Sequence, residues 1–147
     1  MLNPKTSVSR GQMAISTPTN TVTGTADTYV QMAGTFTDSM LNNWSLNADG
    51  TLTFNGNDGS TFLFNGVSDL EVDKACTITY GLYKNGVLVT GAETPHTFAA
   101  ASKIDNVSIT RIIQLDKGDY LNVFVKSSAT DTTATINTLF LTFWGEQ

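Results

Sequence analysis

The sequence is short of charge, cysteine and histidine, and each shortage removes a class of protein. Charged residues make up 14% of the 147-residue chain, against roughly 25% in an average soluble domain. Eight Lys+Arg stand against thirteen Asp+Glu, a formal net charge of −5, and the cations are scattered singly. A nucleic-acid ligand calls for a basic stripe, so none is expected. The one cysteine, Cys76, cannot form an internal disulfide, which fits synthesis in a reducing cytosol. The one histidine, His96, cannot build the usual zinc sets. No apolar run approaches the ~18 residues that cross a bilayer. The start, Met1 to Ser7, lacks the apolar segment of a secretory signal, so neither membrane insertion nor secretion is expected.

Neutral polar residues fill the gap. The chain holds 24 Thr, 11 Ser and 12 Asn. Threonine suits pleated, half-buried surface and asparagine suits turns, whereas the exposed faces of helical bundles draw on Glu, Lys and Ala. The length falls in the usual single-domain range of ~100–200 residues.

From Thr25 onward short alternating segments recur between turn sequences, and none has a capped 3.6-residue period. Strands are expected at Thr28 to Thr35, Trp44 to Leu46, Thr51 to Phe54, Thr61 to Phe64, Val67 to Val72 and Cys76 to Tyr83. Further ones are expected from Val87, at Val107 to Leu115, Tyr120 to Lys126 and Ala134 to Trp144. Gly91 to Lys103 reads as an irregular connection. In Leu82-Tyr83-Lys84-Asn85-Gly86-Val87 the Asn-Gly pair predicts a tight type I′ hairpin. This spacing of antiparallel strands means a β-sandwich. Residues 1–24 hold two of the three prolines and no sustained alternation, and are expected to form an extended N-terminal arm ahead of a domain at 25–147. Val8, Met13, Ile15 and Val22 would anchor that arm to a partner.

Candidate chemistry is sparse. His96 lies in a loop context, Cys76 is in phase with Ile78 and Tyr80 as a buried small hydrophobe, and no phosphate loop or nucleophile elbow appears. Asp49 and Asp58 read as solvated turn residues. Asp69, Glu71 and Asp73 read as the polar face of a strand. No catalytic residue, cofactor or metal site is expected. Asp119, in Asp116-Lys117-Gly118-Asp119, is expected to accept backbone N–H bonds and fix its turn, as Asn85 and Gly86 fix theirs. Large apolar side chains fall on both faces of some strands. Tyr83, Phe140 and Trp144, with Arg111 among apolar neighbours, are therefore candidates for a subunit interface.

The run Leu115-Asp116-Lys117-Gly118-Asp119-Tyr120-Leu121-Asn122-Val123 resembles the Leu-x-x-Gly-Asp-x-φ-x-Val element of a jelly-roll family. That family groups the complement globular heads with tumour-necrosis-factor-like domains. The closing strand Thr138 to Trp144 is similar to that family's last strand. Bacteriophage structural proteins carry a reduced form of the domain that pairs a Leu-Tyr-Lys-Asn-Gly hairpin, here Leu82 to Gly86, with the Gly-Asp turn. The resemblance implies an all-β antiparallel jelly roll and a homotrimer. It further implies a virion structural protein, and the expected arm at 1–24 is what favours one on the capsid exterior that decorates or cements the head, with the major capsid protein as partner. The other reading is a fibre knob binding a host-surface glycan through exposed aromatics such as Trp44 or Tyr83.

Overall fold

In the computed structural model, residues 8–146 are described. They form strands β1 Val8–Ile15, β2 Thr19–Thr23, β3 Val30–Gln31, β4 Phe36–Asn42, β5 Trp44–Leu46 and β6 Leu52–Phe54. The order continues with β7 Ser60–Val72, β8 Cys76–Lys84, β9 Val87–Phe98, β10 Ile104–Leu115, β11 Tyr120–Ser127 and β12 Thr132–Glu146. One antiparallel sheet runs β10-β7-β12-β1-β4, with β2 also paired to β12. The other runs β5-β6-β11-β8-β9, with β3 also paired to β11. The two sheets stack as an all-β jelly-roll sandwich, as the alternation and the Gly-Asp motif predict.

Strand β7 shows why the sheets close on each other. Its even-numbered residues from Ser60 to Val72 are buried and its odd-numbered ones are wholly or partly exposed, the period of a pleated strand with one inward face. Phe62, Phe64, Phe54, Phe143 and Trp44 pack into one cluster with ring centroids 4.7–6.2 Å apart, every contact edge-on or tilted. Edge-on and tilted contacts of this kind stabilise beyond the buried area itself. Tyr80 is buried, and its hydroxyl shares a 2.8 Å hydrogen bond with Ser68 Oγ across the two sheets.

The expected arm is corrected for its described part. Residues 8–23 belong to the sandwich. Strand β1 is paired on both sides, to β12 and to β4, and Met13 and Ile15 lie in the core. The signal was masked because several inward positions here are polar. Ser9, Thr21 and Thr23 are buried, with Thr23 Oγ1 donating to the Thr132 carbonyl and Thr21 Oγ1 accepting from Ala33 N. A hydroxyl bonded to backbone sits in a core at little cost. Residues 1–7 lie outside the described residues, as does the Val8 side chain.

Three smaller expectations also change. The stretch from Gly91 to Phe98 continues β9, an edge strand, the position at which a sheet accommodates a proline such as Pro95. Only Val30 and Gln31 of the expected first strand pair. On β12 a bulge between Ile136 and Thr138 shifts the phase. Ile136 is therefore buried together with Leu139, Leu141 and Phe143, although simple alternation puts it on the opposite face.

Candidate functional site: an apolar sheet face

Sheet register places the exposed side chains of β10, β7, β12 and β1 in rows across the outer face of the first sheet. One row runs Ile112, Leu63, Trp144, Arg10. The parallel row runs Ser108, Val67, Phe140, Ala14. Between them lies a polar row, Thr110, Asn65, Thr142, Gln12, Ser39. Within it Thr110 Oγ1 donates to Asn65 Oδ1, Thr142 Oγ1 to the Asn65 carbonyl and Ser39 Oγ to Gln12 Oε1. Ile112 is 72% exposed, Trp144 53% and Phe140 46%. Arg10 is the one charged residue in these three rows.

Trp144 stands as a ridge between two clefts. One, about 370 Å³, is lined by Arg10, Gly11, Gln12, Met40, Thr142 and Phe143. The other, about 400 Å³, is lined by Gly59, Thr61, Leu63, Ile112 and Gly145. Met40 is carried to the first cleft by a bulge. Between the pairs Arg10–Asn42 and Gln12–Ser39, β4 advances one residue more than β1. Bulges of this kind re-aim a side chain. Leu41 turns inward onto the core, and Met40, with φ 58°, turns out. Gly11 lies opposite, and a Cβ there would come within 2.5 Å of Leu41 Cδ2 and 2.6 Å of Phe143 Cε2.

The residues singled out in the sequence do not converge on one site. Phe140 and Trp144 share the face just described. Tyr83 lies on the outer face of the second sheet, half-buried under its own neighbours. It stacks on Phe124 at 4.0 Å between centroids and takes the edge of Tyr29 at 5.6 Å. Tyr29 Oη donates to Glu93 Oε2 at 2.5 Å, and Lys126 Nζ lies 3.3 Å from that oxygen and 4.7 Å from the Tyr29 ring centre. The hydrogen bond from Tyr29, then that from Lys126, holds the Glu93 carboxyl below its usual range. Burial, then the Glu93 bond, raises the Tyr29 phenol, so Tyr29 remains a donor. This is cover supplied by the protein's own chain. Trp44, offered as a glycan platform, is 6% exposed and belongs to the core.

Arg111 finds partners within its own chain. Nη1 donates to the Thr110 carbonyl and Nη2 to the Glu93 carbonyl at 3.2 Å, a link from β10 to β9 where the sandwich is open. Beside it His96 Nε2 lies 2.8 Å from Asp105 Oδ2, joining the same two strands. Cys76 is buried. Val22 is exposed on β2, and Met13 and Ile15 are enclosed in the core.

Asn85, Gly86, Gly118 and Asp119 come together at one end of the molecule. Asn85 and Gly86 have φ of 51° and 79°, the positive values that a type I′ turn needs. Asp119 Oδ2 accepts from Asp116 N at 2.8 Å and lies 3.0 Å from Lys84 Nζ. Asp58 adds the neighbouring turn by accepting from Lys117 N. Burial works to raise the Asp119 carboxyl. Hydrogen bonds from Asn85, Asp116 N and Lys84 outweigh it and hold the group below the usual aspartate range.

Sequence reasoning missed Leu63, Val67, Ile112 and Met40 as surface residues. The signals were present in Phe62-Leu63-Phe64 and Ile112-Ile113, where adjacent apolar residues must face opposite sides of a strand. The exposure of Met40 depends on a bulge that no periodicity shows.

Comparison with known proteins agrees with the topology. Neither a family model nor a curated protein matches the sequence. Among solved structures, murine APRIL at pH 8.0 superposes with TM-score 0.61 at 14% identity, covering 95% of this chain and 99% of that one. The Eiger TNF of S. frugiperda superposes with TM-score 0.59 at 10% identity, covering 95% and 92%. The globular domain of the zebrafish complement 1qA protein superposes with TM-score 0.50 at 13% identity, covering 91% and 94%. The chain therefore has the jelly-roll fold of the tumour-necrosis-factor-like and complement-head domains, and at these identities the likeness is one of fold.

Proposed function

We propose that this protein is a non-catalytic structural component that assembles into a homotrimer through the outer face of its first sheet. One observation carries the reading: Ile112, Leu63, Trp144, Val67 and Phe140 lie exposed in register on three adjacent strands. Soluble monomers rarely leave this many large apolar side chains together on one sheet face, even in two rows parted by a polar one. In a three-fold ring each contact joins different surfaces of the two copies, so this face would meet a second surface of its neighbour. Such head-to-tail contacts close into rings when the rotation permits.

Within that reading, the protein decorates a bacteriophage capsid from outside, with the major capsid protein as partner. The Leu82 to Gly86 hairpin paired with the Gly118-Asp119 turn supports this role, as does a low-charge surface rich in Thr, Ser and Asn. Since Met13 and Ile15 are core residues, clasping by an arm through them is not part of the mechanism. Capsid contact falls instead to exposed groups away from the Ile112/Trp144 and Val67/Phe140 rows, Val22 among them.

Sedimentation of the purified chain tests assembly, with a trimer expected and a monomer at all concentrations overturning it. Mass spectrometry of purified particles tests the location. Many copies per shell are expected, and a handful per particle at the tail would reject decoration.

A further inference from the structure

We infer that Met40 is an oxidation-sensitive gate on self-assembly, a modification site at the rim of the Trp144 cleft. The inference rests on the assembly reading above and adds a chemical control to it. Three observations combine. Met40 is 70% exposed, whereas Met13 and Met32 are 1% and 2% exposed, so among the described methionines it alone meets a solvent oxidant. It holds a left-handed backbone conformation, φ 58°, which is uncommon for a residue with a side chain. The bulge on β4 spends that conformation on display, since it sends Leu41 into the core and Met40 out. The side chain then lines the same cleft as Phe143 and Trp144, which places its thioether on the apolar face.

The chemistry is a two-electron oxygen transfer from a peroxide. A sulfur lone pair attacks one peroxide oxygen, the O–O bond breaks, an S–O bond forms and water leaves. Sulfur is oxidised and the peroxide reduced. The product sulfoxide is polar and chiral where the thioether was apolar and pliable. A partner copy seated over Met40 would then have to strip water from a polar oxygen where it had met an apolar thioether, with Arg10, Gln12 and Thr142 as the donors the cleft itself offers in exchange. A thiol-dependent sulfoxide reductase reverses the step, returning the thioether and water while two thiols become a disulfide. Assembly in turn covers the sulfur, so the assembled protein oxidises more slowly than the free chain.

The experiment compares the wild type with Met40→Leu, which keeps an unbranched Cβ and nearly the same volume. Each is exposed to dilute hydrogen peroxide at a concentration where subunits dissociate, then mapped by peptide mass and examined by sedimentation. Met40 is expected to gain one oxygen ahead of Met13 and Met32. The wild-type association constant should fall by about ten- to a hundredfold per contact, the scale of one buried side chain. The association constant of Met40→Leu, measured for itself before treatment, should be unchanged by peroxide. Full oxidation at Met40 with unchanged assembly overturns the gate while leaving the assembly reading intact. Equal loss of assembly in Met40→Leu also overturns it and moves the sensitivity elsewhere. A wild type that is monomeric before peroxide is added overturns the assembly reading itself, and the gate with it.

Discussion

The Asn85 side-chain amide donates to Asp119 Oδ1 at 2.7 Å, tying together two turns that are 34 residues apart in sequence. The same asparagine accepts from Tyr120 N through Oδ1 at 3.0 Å, and its own N donates to the Tyr120 carbonyl. The type I′ hairpin and the Gly-Asp turn are therefore one structure, a polar clasp over the end where β8 and β11 pair.

That clasp makes stability depend on acid in a definite direction. Asp119 is held below the usual aspartate range in the folded protein and has its ordinary value when unfolded. It therefore stabilises the fold above the ordinary value, and this contribution is lost as pH falls through the folded one. Asp119→Asn should cost about 1 kcal/mol at neutral pH, the scale of a hydrogen-bonded group that is only partly screened from water. In acid, below the ordinary aspartate range, the difference from wild type should shrink. Urea unfolding at both pH values measures this, and a gap that is constant across pH would show that the charge is irrelevant.

The place of β1 is tested by Met13→Ala. Met13 is buried between the sheets, and a methionine emptied from a packed core costs about 2–5 kcal/mol. A loose arm would lose almost nothing. Thermal or urea unfolding separates the two outcomes cleanly.

Gly145→Ala should be worse than an ordinary surface change. A Cβ at Gly145 would stand 2.2 Å from the Thr61 carbonyl oxygen on the adjacent strand β7. Backbone cannot swing aside as a side chain can, so β12 must shift against β7. Overpacking of this kind costs about 1–3 kcal/mol or more. A lowered urea midpoint with an unchanged slope is the expected result.

How much of this was legible in the sequence depends on which residues faced inward. Strand β7 announced itself because its inward positions include Phe62, Phe64, Leu70 and Val72. Strand β2 did not, because its inward positions are Thr21 and Thr23, and hydropathy is silent where hydroxyls bonded to backbone fill the core. Likewise the Asn-Gly and Gly-Asp turns were readable from local chemistry, since positive φ and side-chain acceptors are properties of single residues. Their union through Asn85 and Asp119 is a fact of strand pairing between β8 and β11. The outer face was half legible. Phe140 and Trp144 stood out on the closing strand, but only register aligned Trp144 with Leu63 and Ile112.

The two tryptophans give that face its own optical test. Trp44 is 6% exposed and Trp144 53% exposed, so the chain carries one buried and one surface fluorophore. Trp144→Phe should leave a blue-shifted emission that acrylamide hardly quenches at any protein concentration. Trp44→Phe removes a core indole packed against four phenylalanine rings. It costs stability, but where the variant stays folded it isolates Trp144. Its emission should be red-shifted and readily quenched in dilute protein, then shift to the blue and become protected as concentration rises. Protection that tracks the sedimentation curve puts Trp144 inside the subunit contact. If trimers form while Trp144 stays fully quenchable, the subunits meet through another surface, and the row from Ile112 to Arg10 is then free to engage a different partner.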